Sequence, residues 1–297
     1  MREKILYCVA GRSGFDATKR EAGDIARALD CDLVVYHAGF RPWTLLERIA
    51  GSTGHEAHEL RGVEGDAALD GCHAALEAEE TRESLVEAIV DAAERHAVRM
   101  ILVPTHGRSG LAHLVQGSVA ELVVRESDRE VMTLRLDAEK PAAVAGPFDR
   151  VVLATDLAER TPQALRHARD LAARFGCGST LLHVVESFAL AAYPMGGVVD
   201  VVGIENRMEE TARELMSRWV AAVGGAEGPD RTEIAIEKGP VLSAIRDHLE
   251  RHERPLLVVP SEGRDSVEDS LIGSHAERAL RIANGSVLVI PKGSLEF

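Results

Sequence analysis

Along the chain, short β-rich runs, most of them largely apolar, alternate with segments in which apolar residues recur at helical spacing. In the first half the runs fall at residues 5–9, 33–36, 100–103 and 131–136, with a weaker one near 73–78. In the second half they fall at 151–154, 180–184, 232–236, 256–259 and 287–290. Between them Leu85, Ile89 and Ala92, and again Ala276, Ala279, Leu280 and Ala283, keep the spacing that turns one helix face toward a core. Apolar residues at successive positions do not suit a sheet with one wet face. The pattern predicts an α/β fold, a parallel sheet covered on both sides by helices.

The pattern also repeats. Shifted by 156 positions, Ile101-Leu102-Val103-Pro104 falls on Leu257-Val258-Val259-Pro260, and Val131-Met132-Thr133-Leu134 on Val287-Leu288-Val289-Ile290. Nearer the start of each half the shift is 146, which places 5–9 on 151–155, Cys31 on Cys177 and His37 on His183. The ten-residue difference is an insertion in the second half, between Val184 and Lys238. A period this long means a duplicated domain. The expected organisation is a first domain over 1–137, a linker over 138–149 with Pro141, Gly146 and Pro147, and a second domain over 150–297. Each is long enough to bury its own core.

One motif recurs within the repeat. Pro104-Thr105-His106-Gly107 and Pro260-Ser261-Glu262-Gly263 are each followed by nine residues and then Gly-Ser, at Gly117-Ser118 and Gly273-Ser274. An apolar run precedes each, and Gly-Ser opens a helix-like segment. A strand, a turn with an accessible glycine, and Gly-Ser at a helix N-terminus make a phosphate cradle. Ligands of open parallel sheets bind at the carboxyl ends of the strands, near the switch in strand order. Val9-Ala10 and Thr155-Asp156, after the first strand of each half, occupy such ends too. Purely structural roles compete at each position. Gly117 and Gly273 also read as turn glycines, with Ser118 and Ser274 as N-caps. Asp156 also reads as the N-cap of a helix beginning near Thr161, or as a loop residue held by backbone amides. His106 reads as an exposed loop residue, His37 and His183 as strand-end structural residues, and Cys31 and Cys177 as packing where helix meets strand.

Composition narrows the field. A chain that is 45% hydrophobic and 28% charged is a soluble globular protein. Its net charge of −14 argues against a nucleic-acid surface, where phosphate neutralisation supplies most of the affinity. Four cysteines without CxxC spacing, and no signal-like N-terminus, point to reduced thiols in the cytoplasm. The apolar stretch 188–204 is broken by Pro194, Gly196, Gly197 and Asp200, too short and interrupted to span a bilayer. It reads instead as a mobile flap, with Tyr193 and Met195 offering a surface to a protein partner or an apolar ligand. His55, His58, Cys72 and His73 are the only cluster suggestive of a metal, and their spacing follows no zinc-finger pattern. No nucleophile elbow, P-loop lysine or paired carboxylates are present, so no dedicated catalytic machinery is expected. His106 alone lies beside a predicted phosphate cradle, where a base for slow phosphoryl chemistry would stand.

On these residues the chain resembles the universal stress protein family in a tandem two-domain form. The resemblance is carried by Thr105-His106-Gly107-Arg108-Ser109-Gly110 with Gly117-Ser118-Val119-Ala120-Glu121, by Thr155-Asp156, and by Leu182-His183-Val184-Val185. It implies a five-stranded parallel sheet with helices on both faces in each half. It also implies an ATP site, with magnesium, in which Gly-x-x-Gly, nine residues and Gly-Ser hold phosphate and an Asp after the first strand meets the nucleoside. The residues so assigned are Val9, Thr105, Gly107, Arg108, Gly117, Ser118 and Val119 in the first half, and Asp156, Val184, Gly263, Gly273 and Ser274 in the second. It further implies pairing through the last strands, here 131–136 against 287–290 within one chain, closing two edges. It leaves room for two such chains to form a homodimer.

Both halves depart from the motif. Pro104 and Pro260 stand where the first glycine belongs, and proline removes an amide donor. Ala10 stands where the second half has Asp156. The cradles also differ in charge. Residues 105–118 contain His106, Arg108 and His113 and no acid, whereas 261–274 contain Glu262, Asp265, Glu268 and Asp269 against Arg264. A carboxylate ~4 Å from a phosphate charge costs about 4 kcal/mol at an effective dielectric of ~20. That exceeds the roughly 0.3–1 kcal/mol a helix terminus contributes. The phosphate end therefore favours the first half and the nucleoside end the second.

Overall fold

The structure, a computed structural model, describes residues 2–9, 12–40, 65–81, 84–105, 119–135, 146–186, 201–224, 231–261, 280 and 285–295. The first half runs β1 (Lys4–Cys8), α1 (Arg12–Leu29), β2 (Asp32–Phe40), β3 (Ala74–Thr81), α2 (Leu85–Arg95), β4 (Met100–Thr105), α3 (Val119–Glu126) and β5 (Glu130–Arg135). The second runs β6 (Arg150–Thr155), α4 (Thr161–Phe175), β7 (Gly178–Val185), α5 (Val201–Ala222), β8 (Thr232–Lys238), α6 (Val241–Leu249), β9 (Pro255–Pro260) and β10 (Ser286–Ile290). Every predicted run overlaps one of these strands; Val9 and His73 lie just beyond strand ends, and Leu136 lies outside the described residues. The predicted helical stripe at 276–283 lies outside the described residues except for Leu280.

The strands form one ten-stranded sheet in the order β3-β2-β1-β4-β5-β10-β9-β6-β7-β8. Each half contributes five parallel strands, and the halves meet where β5 and β10 pair antiparallel, Val131 opposite Val289, Met132 opposite Leu288 and Thr133 opposite Val287. Met132 and Leu288 are equivalent positions of the repeat, so a pseudo-twofold axis passes between them. The internal edge-to-edge pairing expected from the sequence is present.

Successive side chains of a strand point to opposite faces, and the two faces carry separate cores. On one, Phe15, Ile25 and Leu29 of α1, Leu165, Leu171 and Phe175 of α4, and Met216 and Val220 of α5 cover Tyr7, Leu102, Met132, Leu153, Val258 and Leu288. On the other, Val86 and Ile89 of α2, Val123 of α3, and Ile245 and Leu249 of α6 cover Leu6, Ile101, Val131, Leu257 and Val287. Both layers run without a break across the β5–β10 seam.

The expectation of a flap at 188–204 is corrected at its end. Val201 to Ile204 form the first turn of α5, which goes on to bury Ala212, Met216 and Val220 at four-residue spacing. Residues 187–200 lie outside the described residues. No described helix is long and apolar enough to cross a membrane.

Candidate functional site

The sheet opens at two places. Strand β1 pairs with β4 only through Ile5–Met100, Leu6–Ile101 and Tyr7–Leu102, while β4 continues along β5 as far as Thr105–Arg135. Beyond Tyr7 the two strands therefore part, and Val9 and Thr105 flank the opening. In the second half β6 and β9 pair from Arg150–Pro255 to Leu153–Val258 and no further. Thr155 and Asp156 then flank that opening on one side and Pro260 and Ser261 on the other. These are the switch points of strand order, at carboxyl ends, where open α/β sheets receive ligands.

The two openings are distinct. Strands β4, β5, β10 and β9 lie between β1 and β6, a separation of roughly 24 Å at ~4.8 Å per strand. Because β5 and β10 are antiparallel, the carboxyl ends of the halves also face opposite ends of the sheet. The expected residues thus divide into two sets. Val9, Thr105 and Val119, the first residue of α3, belong to the first half. Asp156 and Val184 belong to the second. A single nucleotide does not draw its phosphate contacts from one set and its nucleoside contact from the other.

The predicted phosphate segments themselves lie outside the described residues: Gly107, Arg108, Gly117 and Ser118 in the first half, Gly263, Gly273 and Ser274 in the second. Their anchor points are described. The first segment leaves the carboxyl end of β4 and rejoins at the N-terminus of α3, and Thr105 and Val119 at its ends are both half-buried. Val9 and Val184 are buried members of the two core layers.

The proline substitutions fall at a telling position. Ser261 donates its amide to the carbonyl of Ile290 on β10, at 2.8 Å. Amide directions alternate along a strand, so the nitrogen of Pro260 faces the other way, into the opening left by β6. Pro104 holds the same register, opposite Leu134 as Pro260 is opposite Ile290. Neither proline removes a sheet hydrogen bond. Each removes a donor that would face the opening.

His37 and His183 hold the first strands in place. The Nδ1 of His37 donates to the carbonyl oxygen of Val9, and that of His183 to the carbonyl oxygen of Thr155, both at 2.9 Å. The bond fixes the Nδ1–H tautomer in each ring. The structural reading of these residues is the one observed, recurring in both halves.

Asp156 does not cap α4, whose N-cap is Arg160. Its carboxylate instead accepts the Ala158 amide at 3.0 Å, while the Thr155 hydroxyl accepts the Leu157 amide at 2.9 Å and meets the Thr161 hydroxyl at 2.7 Å. These bonds hold Leu157 at a φ of 63°, where a non-glycine residue is strained. The alternative of a loop residue held by a backbone amide is what the structure shows. The Thr-Asp pair carries a signal for it, since both residue types close turns onto amides two positions on.

Elsewhere the candidate chemistry is sparse. His55, His58 and His106 lie outside the described residues. Cys72 donates its thiol to the Gly23 carbonyl. Among the described residues no group of three or more His, Cys, Asp or Glu side chains is arranged to hold a metal.

Comparison with known proteins agrees with the geometry. The universal stress protein family matches residues 1–135 and 147–291. A universal stress protein of Methanocaldococcus jannaschii is 24% identical over 149 residues, 50% of this chain and 85% of that protein. Universal stress protein A homolog 1 of Coxiella burnetii is 24% identical over 151 residues, 48% of this chain and 96% of its own. Among solved structures, a universal stress protein from Archaeoglobus fulgidus superposes over 98% of both chains with a TM-score of 0.66 at 19% identity. A functionally unknown protein from Pseudomonas aeruginosa superposes over 99% of this chain and 94% of its own, with a TM-score of 0.65 at 17% identity. At such identities these likenesses speak for the fold, a tandem of two open parallel sheets joined through their last strands. With matched segments covering both halves, the chain belongs to the universal stress protein family.

Proposed function

We propose that this protein is a stress-response sensor that binds an adenine nucleotide, ATP with magnesium, in its first half. The observation that carries the proposal is the parting of β1 and β4 beyond Tyr7 and Leu102, with the segment containing Gly107, Arg108, Gly117 and Ser118 joining β4 to α3. That segment contains no acid. Backbone amides at the start of α3 and the Arg108 guanidinium supply the charge complement for phosphate. Magnesium, when present, screens phosphate charge. This chain's part is to hold the phosphates on amides, with Thr105 and Val9 at the mouth of the opening.

The second half is the weaker candidate. Its loop from 261 to 274 carries four acids, and Asp156 already has one oxygen committed to Ala158. These features favour a second reading for that half, a scaffold whose nucleotide site has lapsed and which acts through protein partners.

Thermal unfolding tests the nucleotide proposal. Ligand at 100 times its Kd stabilises the folded state by about 2.7 kcal/mol, so millimolar ATP with magnesium should raise the melting midpoint. An unchanged midpoint would refute the proposal. Gly117→Val should abolish the rise, and replacement of Gly273 by Val should leave it intact.

A further inference from the structure

The seam between the halves carries polar contacts that the apolar repeat does not require. On the face covered by α1 and α4, the Ser286 hydroxyl of β10 donates to Glu21 of α1 at 2.9 Å. On the same face, His167 Nε2 of α4 lies 3.0 Å from Glu130 Oε1 of β5. Shifted by 146, Glu21 is the counterpart of His167. Shifted by 156, Glu130 is the counterpart of Ser286. The two contacts are thus one contact seen twice across the pseudo-twofold axis, filled by different residues. Glu21, Glu130 and Ser286 are all at most 9% exposed, and Glu130 Oε2 is buried with no hydrogen-bond partner in the described structure.

The residue choice discriminates between partners. The backbone of the seam is nearly symmetric, with Met132 paired to Leu288 and Val131 to Val289. Backbone and apolar packing alone would therefore let the first half pair with a second copy of itself. In that arrangement each Glu21 would meet the other copy's Glu130, placing two carboxylate pairs face to face. In a pairing of two second halves each His167 would meet Ser286, a contact without a carboxylate. In the observed pairing Glu21 accepts the Ser286 hydroxyl, and Glu130 lies within ion-pair distance of the His167 ring at an angle that makes no hydrogen bond, so neither carboxylate faces another. We propose that Glu21, Glu130, His167 and Ser286 encode the choice of partner at the seam: the β5–α1 face of the first half fits the β10–α4 face of the second and rejects its own copy. Like charges buried together act as an exclusion device, because an uncompensated buried charge costs far more than the matching pair returns.

The full chain can be made to carry the rejected contacts. The double variant H167E/S286E reproduces both carboxylate pairs of a first-half self-pairing. The double variant E21H/E130S reproduces both contacts of a second-half self-pairing. H167Q/S286Q controls for side-chain size. The expected result is a melting midpoint lowered by about 5–10 °C in H167E/S286E, against a shift of only about 2–4 °C in the other two. Adding E130Q to the single variant H167E should recover most of its loss, which keeps the test decisive if the double variant does not fold. The proposal is overturned if H167Q/S286Q or E21H/E130S falls as far as H167E/S286E, if H167E/S286E is as stable as the parent, or if E130Q gives no recovery.

Discussion

Single residues show how much of the site is structural. Tyr7 is fully buried, and its hydroxyl meets Thr18 Oγ1 at 2.6 Å while also reaching the Phe15 carbonyl. Tyr7→Phe removes that link between β1 and α1 and should cost about 1–2 kcal/mol in urea unfolding. Cys31 and Cys177, equivalent in the repeat, both have thiols pushed up to about 11, chiefly by burial. A raised thiol stays protonated at neutral pH, so both should alkylate with iodoacetamide about tenfold or more slowly than in the urea-unfolded chain. Equal rates would contradict the packing described. The sequence placed these cysteines and both histidines correctly because each recurs at a matched position beside an apolar run. It left Asp156 open because an Asp after a strand serves an Asx turn, a helix cap or a ligand equally well, and only the Ala158 amide separates these roles.

At the scale of elements, the inner strands were legible because they are buried on both faces and so written as mostly apolar runs, whereas the outer strands β3 and β8 are part-buried and carry polar residues. The start of α5 was not legible. Its first turn follows Pro194, Gly196 and Gly197, and a helix in which, among the described side chains, only Ala212, Met216 and Val220 are buried has a narrow apolar stripe. Nor did the sequence announce the clasps that tie each outer strand to the helix after it. Glu77 of β3 pairs with Arg95 at 2.6 Å and with His96, and Glu237 of β8 pairs with Arg251 at 2.6 Å and His248 at 3.0 Å. Burial raises both carboxyl groups, but the hydrogen bonds from the Arg and His partners outweigh it and hold both below the ordinary glutamate value. A depressed carboxylate contributes stability that is present above the unfolded-state value and lost as pH falls through the folded one. Replacing Glu77 and Glu237 by Gln should therefore flatten the loss of stability below about pH 4.5. An acid limb identical to the parent's would contradict that assignment. Helix α1 has its own constraint. A Cβ at Gly23 would lie 2.3 Å from the backbone oxygen of Ala68, so Gly23→Ala should destabilise by about 1–3 kcal/mol.

For the whole molecule, duplication explains both what repeats and what differs. The strand order, the histidine bonds at the ends of β1 and β6, and the openings beside them recur in the two halves. Charge does not. The acids of the second loop were visible in the sequence because they are contiguous. The pairing of Glu130 with His167 was not, because the two residues come from different halves and meet only when β5 and β10 join. The seam should be energetically central. Leu288, fully buried beside the pseudo-twofold axis, should cost about 2–5 kcal/mol when truncated to Ala, in one cooperative transition that unfolds both halves. The openings lie too far apart to share a ligand, so nucleotide stoichiometry reports directly on which of them functions. Isothermal titration of the nucleotide-stripped chain with ATP and magnesium is the most direct test of that asymmetry. The account predicts one site per chain, lost in Gly117→Val and kept in Asp156→Ala. No binding at millimolar ATP, or a site that survives Gly117→Val and disappears in Asp156→Ala, would contradict it.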